Sequence, residues 1–137
     1  MHTHKSLYLS IDQGGHASRA MVYDVDGEIV ASHSSPFETF HPAKHFVEHD
    51  AKALLKSIQD CIAAVCEKLG ERVSDIEAAG LATQRSNILC WDKISGEPLS
   101  PLISWQDTRN SQWLNELELD KEDIHKNTGL FPVSYTH

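Results

Sequence analysis

Ser6-Leu7-Tyr8-Leu9-Ser10-Ile11-Asp12-Gln13-Gly14-Gly15-His16-Ala17-Ser18-Arg19-Ala20-Met21-Val22-Tyr23 is the stretch on which the fold turns. Leu7, Leu9 and Ile11 alternate with Tyr8 and Ser10, the period of a strand with one buried face. The pattern halts at Asp12-Gln13-Gly14-Gly15 and resumes over Ala20-Met21-Val22-Tyr23. Asp26-Gly27 then offers a hairpin turn that accepts positive φ, and Glu28-Ile29-Val30-Ala31 returns as a third strand.

Downstream, a polar loop bearing Pro42 leads to Asp50, a residue suited to capping a helix N-terminus. Ala51, Leu54, Leu55, Ile58, Ile62, Val65 and Leu69 recur at steps of three and four, one apolar helix face, and Gly70 closes it. The nearly unbroken apolar run Ala78-Ala79-Gly80-Leu81-Ala82-Thr83 predicts a buried strand. Ile88–Trp91 and Leu99–Trp105 flank Ser95-Gly96 as a second hairpin. Asp107 or Thr108 is then placed to cap a helix carrying Trp113, Leu114 and Leu117, and a short helix follows from about Lys121 to Lys126. Three strands, helix, strand, helix is the opening of an α/β domain of actin-like, ribonuclease-H-like type. Its mixed sheet begins with three antiparallel strands and is incomplete at this length. A Rossmann start would place a helix directly after the first strand.

The chain has 137 residues, with 12 Lys and Arg against 20 Asp and Glu, for a net charge of −8. That balance disfavours nucleic acid, and no apolar run approaches the ~18 residues that would suggest a membrane span. The amino terminus runs straight into the strand pattern without a signal-peptide core. Cys61, Cys66 and Cys90 lack metal or redox spacing and read as buried thiols. The expected setting is cytoplasmic. His41, His45 and His49 are spaced by four, but Pro42 argues against a helix and the three read as surface histidines.

Asp12 through Arg19 carries the first chemistry. A carboxylate at a strand end can hold a magnesium ion through water. Two glycines let backbone N–H groups approach phosphate oxygens, to which Ser18 and Arg19 add a hydroxyl and a cation. The same octet also suits a plain glycine-rich hairpin in which Asp12 stabilises the turn.

Six ordered segments then bring a family into view. Ile11–Arg19, Tyr23–Val30, Val47-Glu48-His49-Asp50, Gly80-Leu81-Ala82-Thr83-Gln84-Arg85, Ile103-Ser104-Trp105-Gln106-Asp107-Thr108-Arg109 and Thr128-Gly129-Leu130 resemble, in order, motifs of the FGGY carbohydrate kinases. The resemblance implies ATP- and magnesium-dependent phosphorylation of a sugar or polyol hydroxyl. It makes Asp12 the magnesium-associated aspartate and Gly14, Gly15, His16, Ser18 and Arg19 the nucleotide phosphate-binding turn. It makes Arg85, Ser86, Trp105 and Tyr135 the acceptor contacts. A polyol needs fixed donors such as Arg85 and an apolar wall such as Trp105. Core packing would equally explain a tryptophan ending an apolar strand, and Arg85 would equally serve a structural carboxylate.

The chain also departs from the pattern. Gly15-His16-Ala17 replaces a hydroxyl-rich stretch, Ser86 stands where glycerol kinases place a glutamate, and Ser134 replaces a proline before Tyr135. Ser86 leaves room for an acceptor larger than glycerol and points away from a true glycerol kinase. Residues 1–137 are expected to be the N-terminal part of the first actin-like domain, with the rest of that domain, the general-base aspartate and the second domain outside them. This length alone is expected to be inactive and to self-associate through uncovered sheet edges. The competing reading is a non-catalytic remnant that binds ligand weakly or acts through another chain.

Overall fold

In a computed structural model, which describes residues 6–117 and 120–129, the alternating stretch forms two antiparallel strands, β1 (Leu7–Gln13) and β2 (Ala17–Tyr23). Leu9 faces Val22 and Ile11 faces Ala20 across the ladder, so both strands bury one face together. The turn after β2 is organised by Asp24. Its carboxylate accepts from the N–H groups of Asp26 and Glu28, both at 3.0 Å, and Gly27 takes φ 83°. The third strand, β3 (Ile29–Pro36), runs further than the sequence pattern alone marks.

Next come the two-residue strand β4 (Glu48–His49) and helix α1 (Ala51–Leu69). Asp50 caps α1, its carboxylate accepting from the Ala53 N–H at 2.9 Å. A 3-10 turn (Gly70–Asp75) then feeds β5 (Ile76–Thr83), which pairs parallel with β1 and gives a mixed sheet ordered β3-β2-β1-β5. A two-stranded sheet of β4 and β6 (Leu102–Ile103) and two short helices, α2 (Ser111–Glu116) and α3 (Lys121–Thr128), follow. Asp120 caps α3, and Gly129 closes it in the left-handed conformation. Among the described residues, no helix is long and apolar enough to cross a membrane.

The core lies between one face of this sheet and α1. Leu7, Leu9, Ile11, Ala20, Val22 and Ala31 meet Cys61, Val65 and Leu69. Val65 and Leu69 are buried and Ile58 and Ile62 pack against the core, as the spacing predicts. The small residues Ser57 and Cys61 are buried beside them, while Leu55 is largely exposed. Small side chains there let α1 come close enough for the Cys61 thiol to reach the Ser18 carbonyl at 3.2 Å, and burial pushes that thiol's pKa up. Of the other expected buried thiols, Cys66 is half-buried and Cys90 is exposed.

β5 corrects a further expectation. Its apolar run forms the sheet edge, with Leu81 59% exposed. The cause is placement: α1 packs mainly on β2 and β3, so no layer covers β5 among the described residues.

Candidate functional site

Because β1 and β5 are parallel, they finish at the same end of the sheet, with Gln13 opposite Thr83. The turn at residues 14–16 and the segment Gln84-Arg85-Ser86 therefore emerge side by side. The carboxyl ends of parallel strands are where open α/β sheets bind ligands. A hydrogen bond joins the two segments, as Gln84 Nε2 donates to the Gly14 carbonyl at 2.8 Å. Gln13 Nε2 donates to the same oxygen at 2.7 Å, and the Gly14 N–H closes the turn on the Ala17 carbonyl at 3.0 Å.

The two glycines are not equivalent. A Cβ on Gly14 would lie 2.9 Å from the Ala17 carbonyl oxygen, whereas one on Gly15 would meet only the Gln84 Oε1, at 3.9 Å. Asp12 is half-buried one residue before the end of β1, directly across the ladder from exposed Arg19. Among the described residues, no three His, Cys, Asp or Glu side chains gather as a metal-binding group. A hydrated magnesium ion held by one carboxylate and substrate phosphates needs no such group. Asp12 beside a turn where only glycine closes the backbone fits that arrangement.

Ser18 does not serve as expected. It is fully buried on the α1 side, with its Oγ 2.7 Å from the Ser57 Oγ. Ser57 spends its own proton on the Leu54 carbonyl, so the Ser18 hydroxyl is the donor and cannot reach a phosphate. Gly14's N–H is likewise spent inside the turn, leaving Gly15, His16 and Arg19 as the outward-facing members of the expected set. His16 is tied back to the chain after β3: its carbonyl accepts from Phe37 N–H at 3.1 Å.

Of the residues expected to contact the acceptor, Ser86 and Trp105 line one cleft of about 200 Å³, together with Asp107 and Arg109. The backbone N–H of Trp105 donates to Asn87 Oδ1 at 2.8 Å, which ties the chain at residue 105 to the segment carrying Ser86. Ser86 itself holds φ 63°, a left-handed conformation that costs a non-glycine residue roughly 1 kcal/mol or more. Arg85 is exposed and does not line this cleft. Tyr135 lies outside the described residues.

The wall of the cleft is braced by Arg109. Its Nε donates to Asp107 Oδ1 at 2.8 Å, and its Nη2 donates to Asp107 Oδ2 at 2.7 Å and to Glu48 Oε1 at 2.6 Å. The guanidinium also lies over the Phe46 ring, 3.8 Å from its centroid. Asp107 accepts from Val47 N–H at 2.7 Å as well. It is therefore no helix cap: α2 starts after Asn110, which makes no side-chain cap. Burial alone would raise the Asp107 carboxyl, but the Arg109 side chain and the Val47 N–H outweigh it and hold the pKa below the usual range. The Asp107 carboxylate in turn raises the Arg109 pKa. Glu48, Asp107 and Arg109 all stand in the quoted motifs, yet their joint role has no local sequence signal because 61 positions separate Glu48 from Arg109.

His49 overturns its expectation. His41 and His45 are exposed, but His49 is 1% exposed, edge-on to Phe37, with Nδ1 3.3 Å from the Glu38 carbonyl.

Residues 7–137 match the profile described as the FGGY family of carbohydrate kinases, N-terminal domain. Glycerol kinase 2 of Streptomyces coelicolor is 38% identical over 136 residues, covering 98% of this chain and 27% of that protein. The glycerol kinase of Natranaerobius thermophilus is 40% identical over 133 residues, covering 96% of this chain and 27% of that protein. The crystal structure of Plasmodium falciparum glycerol kinase with ADP superposes with a TM-score of 0.84 at 26% identity, covering 96% of this chain and 27% of that one. The chain thus spans about a quarter of the length of the relatives it matches.

Proposed function

This chain belongs to the FGGY family of carbohydrate kinases, with its actin-like, ribonuclease-H-like fold, and we propose that it carries the phosphate turn and the acceptor wall of an ATP-dependent kinase acting on a sugar or polyol hydroxyl. The observation that carries this reading is the Gln84–Gly14 bond, which sets the turn beside the strand end leading to Ser86. Gly15, His16 and Arg19 face the nucleotide phosphates, and Asp12 holds hydrated magnesium through its carboxylate. Trp105 and Ser86 seat the carbon chain of the acceptor, with Arg85 swinging in from solvent to donate to its hydroxyls. Bound Mg-ATP supplies the phosphoryl group. The setting is cytoplasmic.

Phosphoryl transfer requires several positioned parts at once, and residues 1–137 are the N-terminal part of the first domain in this reading. The 137-residue chain is therefore expected to show no phosphorylated product with glycerol, pentuloses or longer polyols. It is nonetheless expected to bind them weakly, quenching Trp105 fluorescence, with a pentulose effective at lower concentration than glycerol because Ser86 leaves space. A Trp105→Phe variant separates that signal from Trp91 and Trp113. Turnover that survives removal of host kinases, or quenching unchanged in Trp105→Phe, would refute the assignment. The exposed β5 edge is expected to drive self-association. Light scattering should show concentration-dependent mass that Leu81→Lys lowers, and a stable monomer at high concentration contradicts this.

A further inference from the structure

Ser18 is the second residue of β2, one peptide unit beyond Ala17, whose carbonyl closes the turn on the Gly14 N–H. Both of its polar ends are held by α1. The hydroxyl donates to Ser57 Oγ at 2.7 Å, and the carbonyl accepts from the Cys61 thiol at 3.2 Å. Ser57 and Cys61 stand four positions apart and so share one helix face. Ser18 and Cys61 are 0% exposed and Ser57 is 3% exposed, so solvent offers these groups no substitute partner.

The buried positions of α1 run Ser57, Cys61, Val65 and Leu69, and the two small polar ones are those that meet Ser18. A buried hydroxyl adds less cohesion than an aliphatic side chain and must be satisfied by fixed partners, so what it contributes is position. The turn is built to feel that position. Gly14 approaches the Ala17 carbonyl so closely that a Cβ would lie 2.9 Å from its oxygen, which leaves no slack beside Ser18. Resting on the reading of residues 14–16 as a phosphate turn, we infer that Ser57 is a positioning residue for it. Ser57 acts through Ser18 to fix the Ala17 carbonyl, with Cys61 as second anchor. The turn is thereby held from two sides, by α1 at Ser18 and by Gln84 at the Gly14 carbonyl.

Ser57→Ala, Ser18→Ala and the double variant test this in the 137-residue chain, with Val65→Ala as a core control. Without ligand, Ser57→Ala should cost the Gly14 amide roughly three- to tenfold in hydrogen-exchange protection relative to the Leu9 and Val22 amides, the factor one neutral hydrogen bond supplies. Val65→Ala, two helical turns further along the same buried face, should speed all three amides together. With ADP and magnesium, Ser57→Ala and Ser18→Ala should each weaken binding by that same factor, although neither hydroxyl reaches the nucleotide. The double variant should weaken it no further. A merely structural pair would lower Tm and leave both the Gly14 ratio and the nucleotide affinity unmoved, and that result, or additive losses in the double variant, would overturn the inference. Absence of nucleotide binding in the unaltered chain would instead refute the phosphate reading, and the Gly14 ratio would still decide whether Ser57 positions the turn.

Discussion

Arg109→Ala is expected to lower the stability of the chain by about 3 kcal/mol, because it strands two carboxylates that the guanidinium now holds. Asp107's side chain is only 3% exposed and Glu48's 16%, so solvent screens neither well. A loss of that size in a domain of this length lowers Tm by roughly 10 °C. Arg109→Lys should recover only part of it, since an ammonium can neither fork onto both Asp107 oxygens nor stack on Phe46 in the same way. The effect has a defined pH dependence. Asp107's folded pKa is depressed, so its contribution is complete above the unfolded carboxyl pKa of about 3.9 and is lost as pH falls through the lower folded value. Urea unfolding from pH 5 downward should therefore show a steeper stability loss in the unaltered chain than in Asp107→Asn. Equal slopes would mean that the brace contributes nothing.

The second large effect is expected at Gly14. Gly14→Ala forces a Cβ against the Ala17 backbone oxygen, which has no flexible end to move aside. The turn must open, at a cost of about 1–3 kcal/mol, and the bond from Gln84 goes with it. Gly15→Ala, by contrast, meets only the Gln84 side chain at ordinary contact distance and should be nearly neutral for stability. Thermal unfolding of the two variants side by side checks this, and equal losses would contradict the geometry.

That contrast shows where sequence reasoning reached its limit. β1, β2, the Asp26-Gly27 turn and the Asp50 cap are local features, written in period, turn chemistry and a capping side chain, and all were legible. So was the parity of Ser18. It shares a strand face with Ala20 and Val22, both buried, so the alternation sends its hydroxyl to the core, a signal that the expected phosphate contact overlooked. The edge position of β5 was not legible, because an apolar run looks the same whether or not another layer covers it. Nor was Gln84's hold on Gly14, 70 positions away, or the burial of His49, which depends on Phe37 and the Glu38 carbonyl arriving from a separate loop. The motifs did not distinguish outward-facing residues from those, such as Asp107 and Arg109, that hold the segments together.

The central claim is that the turn after β1 and the Gln84–Ser86 segment form one phosphate- and acceptor-facing site. Titration of the ¹⁵N-labelled chain with ADP and magnesium tests it most directly. The backbone amides of Gly15 and His16 and the side-chain amide of Gln84 should shift together, with a magnesium dependence that Asp12→Asn weakens. Amides that shift only on another face of the sheet, or a turn that stays unmoved at millimolar nucleotide, would contradict it.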